Sequence, residues 1–282
     1  MTNTASPAPP AYLAIGHVAK DIVPGGHTLG GTVAYSGLTA DALGMSTGIV
    51  TAASPDLSLD ALQDLQVLTI PSDQPTCFEN VYKPSGRVQT LHSKAADISI
   101  EMIPPSWTTP RLVHFAPIAN EIDPDLPFQF PSSIVAMTPQ GWLRRWDEEG
   151  AVRLENWTLL RDILPAADVV VLSEEDVQGD HAAATEMASL CGLLVMTLGP
   201  LGARVFWNNE VRDIPAPAVE EIEPTGAGDI FAASFFVRFA QVGDAWRAAQ
   251  FANRIASCSV TRQGMASIPQ PSEIQQILAE GS

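Results

Sequence analysis

The chain reads Glu223-Pro-Thr-Gly-Ala-Gly-Asp229 immediately before the apolar stretch Ile230–Phe236, whose composition and spacing predict a helix. Two glycines and a small alanine leave backbone amides uncovered at the start of that helix, where free N–H groups and the helix dipole favour an anion. Asp229 in the first turn is placed to accept a proton from a hydroxyl while the amides stabilise a transferring phosphoryl group. The simpler alternative is that Asp229 is an ordinary acid at a helix start.

Short runs of valine, isoleucine and leucine alternate with helical patterns along the rest of the chain, as in βαβ units around a buried, mostly parallel sheet. Strands are predicted at Tyr12–Ile15, Thr47–Thr51, Val67–Ile70, Leu112–Phe115, Ile134–Met137, Val169–Leu172, Leu194–Leu198 and Arg204–Trp207. Helices are predicted at Thr32–Gly44, Ile230–Ala240 and Asp244–Thr261, with a last one from Ser272. The predicted fold class is therefore α/β, with eight or nine strands in the main sheet.

The composition excludes several classes of protein. The 282 residues are 46% hydrophobic, enough for a sizeable core, and 15 Lys+Arg against 32 Asp+Glu give a net charge of −17. So acidic a chain repels nucleic acid and anionic lipid, so we expect neither as a partner. A phosphate-bearing ligand is an anion too, so any phosphate site in this chain must be built locally, from backbone amides and a metal ion.

Cysteine usage and the first residues indicate the compartment. The three cysteines lie far apart and form no CxxC pair, which suits a reducing environment without disulfides or a zinc site. Residues 1–11 have neither the positive nor the apolar region of a signal peptide and read as a disordered leader. We expect a cytoplasmic protein with a single domain over residues 12–282, as a monomer or a homodimer.

The TGAGD segment resembles the C-terminal signature of the ribokinase-like, or PfkB-type, carbohydrate kinase family. Three further segments resemble that family in the same order along the chain, from about Tyr12 to Pro269. They are Gly16-His-Val-Ala-Lys-Asp21, Gly30-Gly31 with Leu43-Gly44 after a helix, and Thr197-Leu-Gly-Pro-Leu-Gly-Ala203. The resemblance implies a three-layer α/β/α sandwich with a small, reduced β lid, and a kinase that uses ATP and Mg²⁺.

The resemblance also implies roles for individual residues. Asp229 would be the catalytic base, and Thr225, Gly226, Ala227 and Gly228 would form the anion hole. Asp21, Gly30 and Gly31 would hold acceptor hydroxyls, although Asp21 is equally compatible with a turn before Pro24-Gly25. The ATP side would be lined by Ser173, Thr197, Leu198, Gly199, Gly202 and Asn253. For Thr197–Gly202 an ordinary strand-ending turn, and for Asn253 a solvated helix position, are the alternatives.

Two departures from the family pattern concern the donor side. Where the family has Asn-x-x-Glu, linked to magnesium and its waters, this chain has Ser173-Glu-Glu-Asp176. Asp176 would then contact the metal indirectly, through water, but Ser-x-x-Asp also has the character of a helix-capping box, and both roles can hold together. Glu223-Pro224 replaces the family's aspartate before the TGAGD threonine.

Other segments bear on the acceptor. Tyr35 stands where many family members have an asparagine, which suggests an aromatic face for a six-membered ring and disfavours ribose. The alternative is that Tyr35 is turned into the sheet-facing core. Thr138-Pro-Gln-Gly-Trp-Leu-Arg144 resembles a stretch of an inositol-kinase-like branch, as do GGTVAY and FENVY, and Gln140 and Arg144 would reach hydroxyls or phosphate. A glycine turn with a packed Trp142 is the alternative. A myo-inositol-like cyclitol is favoured over ribose, fructose, a 2-keto-3-deoxy sugar acid or a nucleoside.

The lid is predicted from Thr76–His92, where polar and apolar residues alternate around the turn Lys83–Gly86. Only eight residues separate Asp21 from Gly30, so the other lid strands should be missing or very short. An ornamental hairpin remains the alternative to a lid.

Two rival enzyme classes are excluded by missing motifs. No G-x-G-x-x-G follows the first strand, as a dehydrogenase needs, and no GxxxxGK[ST] of a P-loop kinase occurs. A non-catalytic sugar- or nucleotide-binding module of the same fold stays open, because of Ser173 and Glu223.

Overall fold

The structure, a computed structural model, describes residues 9–83 and 86–280. Most of the predicted leader and residues 84–85 of the predicted turn lie outside the described residues. The strands are β1 (Tyr12–Ile15), β2 (Ala19–Val23), β3 (Gly26–Gly30), β4 (Thr47–Ala53), β5 (Gln66–Pro71), β6 (Thr76–Lys83), β7 (Gly86–Ser93), β8 (Leu112–Phe115), β9 (Ile134–Met137), β10 (Arg144–Trp146), β11 (Val152–Leu154), β12 (Val169–Ser173), β13 (Leu193–Thr197), β14 (Ala203–Trp207) and β15 (Glu210–Ile214). The helices are α1 (Thr32–Ala42), α2 (Leu160–Ile163), α3 (His181–Ala188), α4 (Ala227–Val242), α5 (Ala245–Ser259) and α6 (Pro271–Glu280).

One nine-stranded sheet forms the centre of the protein, in the order β15-β14-β13-β12-β9-β8-β1-β4-β5. The seven strands from β13 to β5 run parallel, and β14 and β15 add an antiparallel edge. The inner strands are apolar without alternation because helices cover both faces, as in β1, where all four residues are buried.

Each face of the sheet has its own hydrophobic core. One face packs against α1, α4 and α5 through residues such as Val33, Phe235 and Ala248. The other packs against α2 and α3 through Ile163 and Met187. This confirms the predicted three-layer α/β/α sandwich.

A second sheet contains the hairpin that the sequence predicts as a lid. It is a four-stranded sheet in the order β3-β2-β6-β7, in which β2 pairs parallel with β6 and antiparallel with β3. Of the eight residues between Asp21 and Gly30, two belong to the five-residue strand β2 and four to the five-residue strand β3, and the chain turns at Pro24-Gly25. Of the two predicted alternatives, missing or very short strands, the first is wrong: short strands are present, because a tight turn lets so short a segment form a hairpin.

The predicted elements of the main sheet are present, with ends shifted by at most two residues. The strands β10, β11 and β15 and the helices α2 and α3 were not predicted. No helix in the described part of the chain has both the length and the apolar character needed to cross a membrane.

Candidate active site

The predicted site residues lie at one edge of the main sheet. The parallel strands β1, β9, β12 and β13 end there, and the segments that follow them carry Asp21, Gln140, Asp176 and Gly199. Ligands of open α/β sheets bind outside the carboxyl ends of the strands, so the topology itself indicates this edge.

The start of α4 presents free amides at this edge. Gly226 is the residue before the helix and has φ 78°, a left-handed conformation that a side chain would strain, and no side chain caps the helix. The N–H groups of Gly228 and Asp229 have no acceptor among the described residues, since the first helical bond runs from Ile230 N–H to the carbonyl of Gly226 at 2.9 Å. An anionic group is stabilised at such a terminus.

The carboxyl group of Asp229 has a raised pKa. Burial raises its pKa to about 6, and the carboxylates of Asp21 and Asp176 act in the same direction. A hydrogen bond from the Thr32 side chain and the positive charge of Arg144 lower its pKa and limit the rise. A carboxyl group with this pKa is a base at neutral pH, and a stronger one than an ordinary aspartate.

A chain of donors leads from Arg144 to Asp229. The Arg144 guanidinium donates through Nη2 to Gln140 Oε1 at 2.7 Å and through Nη1 to the Ile118 carbonyl at 3.0 Å. Gln140 Nε2 donates to Thr32 Oγ1 at 2.8 Å, and Thr32 is the side chain that bonds Asp229. Gln140 and Arg144 therefore do lie at the site, but both ends of the Gln140 amide are engaged with protein groups.

Asp21, Gly30 and Gly31 come together on the lid side. Asp21 lies on β2 opposite Thr28, and its carboxylate lies so close over Gly30 that a Cβ there would collide with it. Gly31 has φ 92°, and a Cβ there would lie 2.6 Å from the His17 carbonyl oxygen. The two glycines thus let the chain pass beneath the Asp21 carboxylate and enter α1.

The Tyr35 side chain is turned into the core, as the alternative interpretation of this position predicted. It is 4% exposed and packs with Ile230, Phe251 and Ile255. A Cβ at Gly226 would lie 2.5 Å from the Tyr35 ring, so the ring supports the anion-binding turn from behind. Thr32 and Ser36, one turn apart on α1, face Asp229, whereas residue 35 is rotated by about 100° from residue 36 toward α4 and α5. The prediction of an aromatic face toward the acceptor is corrected accordingly.

On the donor side, Thr197–Gly202 forms a closed turn after β13. Leu198 N–H donates to the Gly202 carbonyl at 2.8 Å, and Thr197 Oγ1 donates to the Leu172 carbonyl at 3.4 Å. A Cβ at Gly202 would collide with the backbone of residues 214–216, so the turn lies directly against the segment that leads to α4.

Asn253 is likewise a correction. Its side chain is 4% exposed and donates through Nδ2 to the Ile214 carbonyl at 2.8 Å, and Ser257 on the next turn donates to the Pro217 carbonyl at 3.3 Å. The amide therefore fastens α5 to residues 214–217 rather than facing an adenine.

Ser173–Asp176 forms a complete capping box, as one of the two predicted interpretations required. Asp176 N–H donates to Ser173 Oγ at 3.2 Å, and Asp176 Oδ2 accepts from Ser173 N–H at 2.8 Å. Among the described residues no group of three or more His, Cys, Asp or Glu is arranged to hold a metal ion. A Mg²⁺ ion that arrives with nucleotide phosphates needs only one or two carboxylates, and the second oxygen of Asp176 fits that requirement.

The sequence analysis did not identify the polar residues that lie between Asp229 and the main sheet. Thr32 was hidden as the first residue of an apolar helix, and Ser36 as a small residue within it. His114 in the middle of the apolar strand β8 was the visible signal, since a buried imidazole needs hydrogen-bond partners.

The comparisons with known proteins agree with this geometry. Residues 151–273 match the pfkB family of carbohydrate kinases. A provisionally named sugar kinase of Pyrococcus horikoshii is 31% identical over 147 residues, which are 51% of this chain and 46% of that protein. A fructokinase of Escherichia coli is 26% identical over 205 residues, 64% of this chain and 66% of the relative. The matched regions thus cover less than two thirds of these relatives.

Solved structures extend the likeness over nearly the whole fold. A pyrophosphate-dependent myo-inositol kinase of the 1-specific type, converted by two substitutions into a 3-specific one, superposes with a TM-score of 0.82 at 20% identity over 95% of this chain and 99% of that one. The fructokinase of Xylella fastidiosa with bound ATP gives 0.77 at 18% identity over 96% and 98%. The chain has the ribokinase-like fold, and its residues 151–273 match the pfkB family of carbohydrate kinases.

Proposed function

We propose that the protein transfers the γ-phosphoryl group of ATP to a hydroxyl group of a sugar or cyclitol. Asp229 carries the proposal: it lies at an uncapped helix start, and its pKa is raised to about 6 by burial, with the charge of Asp21 acting in the same direction. A base and free amides at one point are what phosphoryl transfer to an alcohol requires.

The reaction follows from these positions. Asp21 and the backbone of Gly30–Gly31 would hold the acceptor so that one hydroxyl points toward Asp229. Its oxygen forms a bond to the γ-phosphorus while its proton passes to the Asp229 carboxylate, and the bond from the γ-phosphorus to the β–γ bridging oxygen breaks. The products are ADP and a phosphate ester, and the N–H groups of Gly228 and Asp229 stabilise the charge on the migrating group.

Magnesium fits the donor side of this scheme. The ion would be held by the nucleotide phosphates and, through water, by Asp176, and would neutralise phosphate charge in a chain of net charge −17. The residues of the chain itself supply the base, the amides and the acceptor contacts.

For the acceptor we propose a cyclitol such as myo-inositol. The support is the Thr138–Arg144 segment, which resembles an inositol-kinase-like branch, and a solved neighbour that is named as a myo-inositol kinase. The corrected position of Tyr35 removes its ring from this argument, so the acceptor contacts of the proposal are Asp21, Gly30 and Gly31.

The test is ADP formation with ATP and Mg²⁺ across inositols, pentoses, hexoses, 2-keto-3-deoxy acids and nucleosides. Turnover fastest with an inositol supports the whole proposal. A tenfold preference for ribose or a nucleoside, about 1.4 kcal/mol, overturns the cyclitol but keeps the kinase. Pyrophosphate is run as a second donor, because one of the solved neighbours is named as pyrophosphate-dependent.

A binding module without activity is the second candidate. The two donor-side departures favour it, since Ser173 is engaged in the capping box and Glu223 accepts from Gly264 N–H at 3.1 Å. Thermal stabilisation by polyols or ATP without any ADP formation would establish the module and refute the kinase.

A further inference from the structure

Residues 16–18, which we call the linker, join β1 of the main sheet to β2 of the lid. Each backbone N–H of the linker donates to a buried acceptor on another segment. The three bonds run from Gly16 to the Val50 carbonyl at 3.1 Å, from His17 to Glu121 Oε1 at 2.9 Å and from Val18 to Thr51 Oγ1 at 2.8 Å. The backbone is therefore fixed by the main sheet and its loops at the point where the chain enters the lid.

Glu121 is a buried carboxylate on the segment that follows β8. Besides the His17 amide, its oxygens accept from the N–H groups of Ile118 at 3.0 Å and Ala119 at 2.7 Å. A carboxylate removed from water needs such donors, and here one of them belongs to the linker. Glu121 thus joins the linker to the loop after β8.

The side chain of His17 fastens the linker to the lid hairpin. The imidazole is fully buried, with Nε2 at 2.8 Å from the Ala96 carbonyl oxygen and Nδ1 at 2.7 Å from Thr76 Oγ1. Thr76 Oγ1 also accepts from the N–H of Ala95 at 2.9 Å. Thr76 begins β6, and residues 95–96 follow closely after the end of β7. One imidazole therefore holds both ends of the hairpin against the linker.

The three proposed acceptor contacts lie against the linker. A Cβ at Gly31 would lie 2.6 Å from the His17 carbonyl oxygen and 2.9 Å from the Ala19 nitrogen. Asp21 lies two residues beyond Ala19 on the same face of β2, and its carboxylate lies directly over Gly30. A displacement of the linker would therefore displace all three contacts together.

We propose that Glu121, Thr51 and His17 are positioning residues for the acceptor. They hold the linker, and through it the three acceptor contacts, in the binding geometry before the acceptor arrives. The inference rests on the proposed function for the role of those contacts. Preorganisation lowers the cost of binding, so loss of a positioning residue should weaken acceptor binding without slowing the transfer step.

The effect on binding is tested at Thr51. Thr51→Val keeps the size of the side chain but leaves the buried N–H of Val18 without its acceptor. It should raise KM by about tenfold for the acceptor that the wild type turns over fastest, with kcat and the ATP KM within about twofold of wild type. Thr51→Ser keeps the hydroxyl and should restore most of the acceptor affinity. Thr39→Val is the matched control, since Thr39 is as deeply buried and its hydroxyl has no partner among the described residues.

Glu121→Gln provides a second variant with a stronger perturbation. The glutamine NH₂ group would face backbone N–H groups that also donate, so the acceptor KM should rise more than in Thr51→Val. An unchanged acceptor KM in the folded variants would overturn the positioning role. A lower kcat at unchanged acceptor KM would overturn it too, since general destabilisation reduces the amount of active protein without changing its affinity.

Hydrogen exchange followed by NMR tests preorganisation without any turnover. In the ligand-free wild type, the amides of His17 and Val18 should exchange as slowly as those of the buried strand β1. Fast exchange that becomes slow only when myo-inositol or ATP is added would refute preorganisation, whether or not the protein is a kinase. Failure of the wild type to turn over any acceptor would instead overturn the proposed function, and the exchange result would still decide whether the linker is held.

Discussion

The two halves of the active-site edge differ in how they are built. On the acceptor side, buried side-chain hydrogen bonds join α1, β1, β8 and the segment after β9 around Asp229. On the donor side, the large apolar side chains of Leu201 and Ile222 are 74% and 58% exposed. On this side, side-chain hydrogen bonds such as that of Asn253 hold α5 against residues 214–217 below the surface, and the donor-side surface itself stays open.

This difference indicates which side of the candidate site holds the proposed base in a fixed position. A base held by buried bonds is pre-organised before any ligand arrives, which lowers the cost of reaching the reactive geometry. An open donor surface leaves the phosphates to be placed by the helix amides and the metal. Changes on the acceptor side should therefore affect rate or folding, and changes on the donor side should affect ligand requirements.

Asp229→Asn is the change with the largest expected effect. Loss of the base should lower kcat by roughly 10²–10⁴ with little change in ATP affinity. Steady-state kinetics together with ATP binding by calorimetry measure both quantities. Near-normal turnover in the folded variant would make Asp229 an ordinary helix-start acid and remove the contrast between the two halves.

Tyr35→Ala tests whether the acceptor side is braced from behind. The ring fills a buried cluster with Ile230 and Phe251, so its removal should cost about 3 kcal/mol of stability, whereas Tyr35→Phe should cost far less. Urea unfolding followed by circular dichroism compares the two. A stable Tyr35→Ala protein with a raised acceptor KM would instead restore the original prediction of a substrate contact.

Asp21→Asn separates acceptor binding from donor binding. Loss of a charged acceptor of hydroxyl hydrogen bonds should raise the acceptor KM by about tenfold to a hundredfold and leave the ATP KM unchanged. The control is Asp56→Asn. The exposed carboxylate of Asp56 lies 3.5 Å from the ammonium group of Lys20, the residue that precedes Asp21 on β2. Equal effects of the two substitutions would mean that Asp21 acts only on the lid.

Asp176→Ala should have the smallest effect. The variant should need a few times more Mg²⁺ for half-maximal rate, since one carboxylate acting through water contributes little beside the phosphates. Asp176→Asn keeps a side-chain oxygen for the Ser173 N–H and separates capping from metal binding. An unchanged magnesium titration in both variants would leave Ser173–Asp176 with the capping role alone.

The sequence predicted those parts that depend on local pattern. The inner strands are short apolar runs bounded by polar residues, and α4 follows a glycine-rich turn, so both could be located in the chain. The hairpin of β2 and β3 was not predicted, because polar and apolar residues do not alternate clearly along it and because β6, with which β2 pairs, is distant in sequence.

The sequence predicted which residues lie at the candidate site but not the direction in which each side chain points. Asp21, Gly31, Gln140 and Asp229 do lie together. Tyr35 and Asn253, however, are buried against the core and against residues 214–217, because a rotation of one residue on a helix changes the face. The hydrogen bonds of His114 with Tyr12 and of Thr32 with Gln140 join residues 102 and 108 positions apart, and no local pattern encodes them.

The most direct test of Asp229 as the base is the pH dependence of the wild-type kcat/KM for the acceptor. Only the ionised carboxylate can take the proton, and burial raises its pKa to about 6. The rate should therefore be constant above pH 7 and fall about tenfold per pH unit below 6. A rate that stays constant down to pH 4.5 in folded protein would contradict the raised pKa and, with it, the role of Asp229 as the general base.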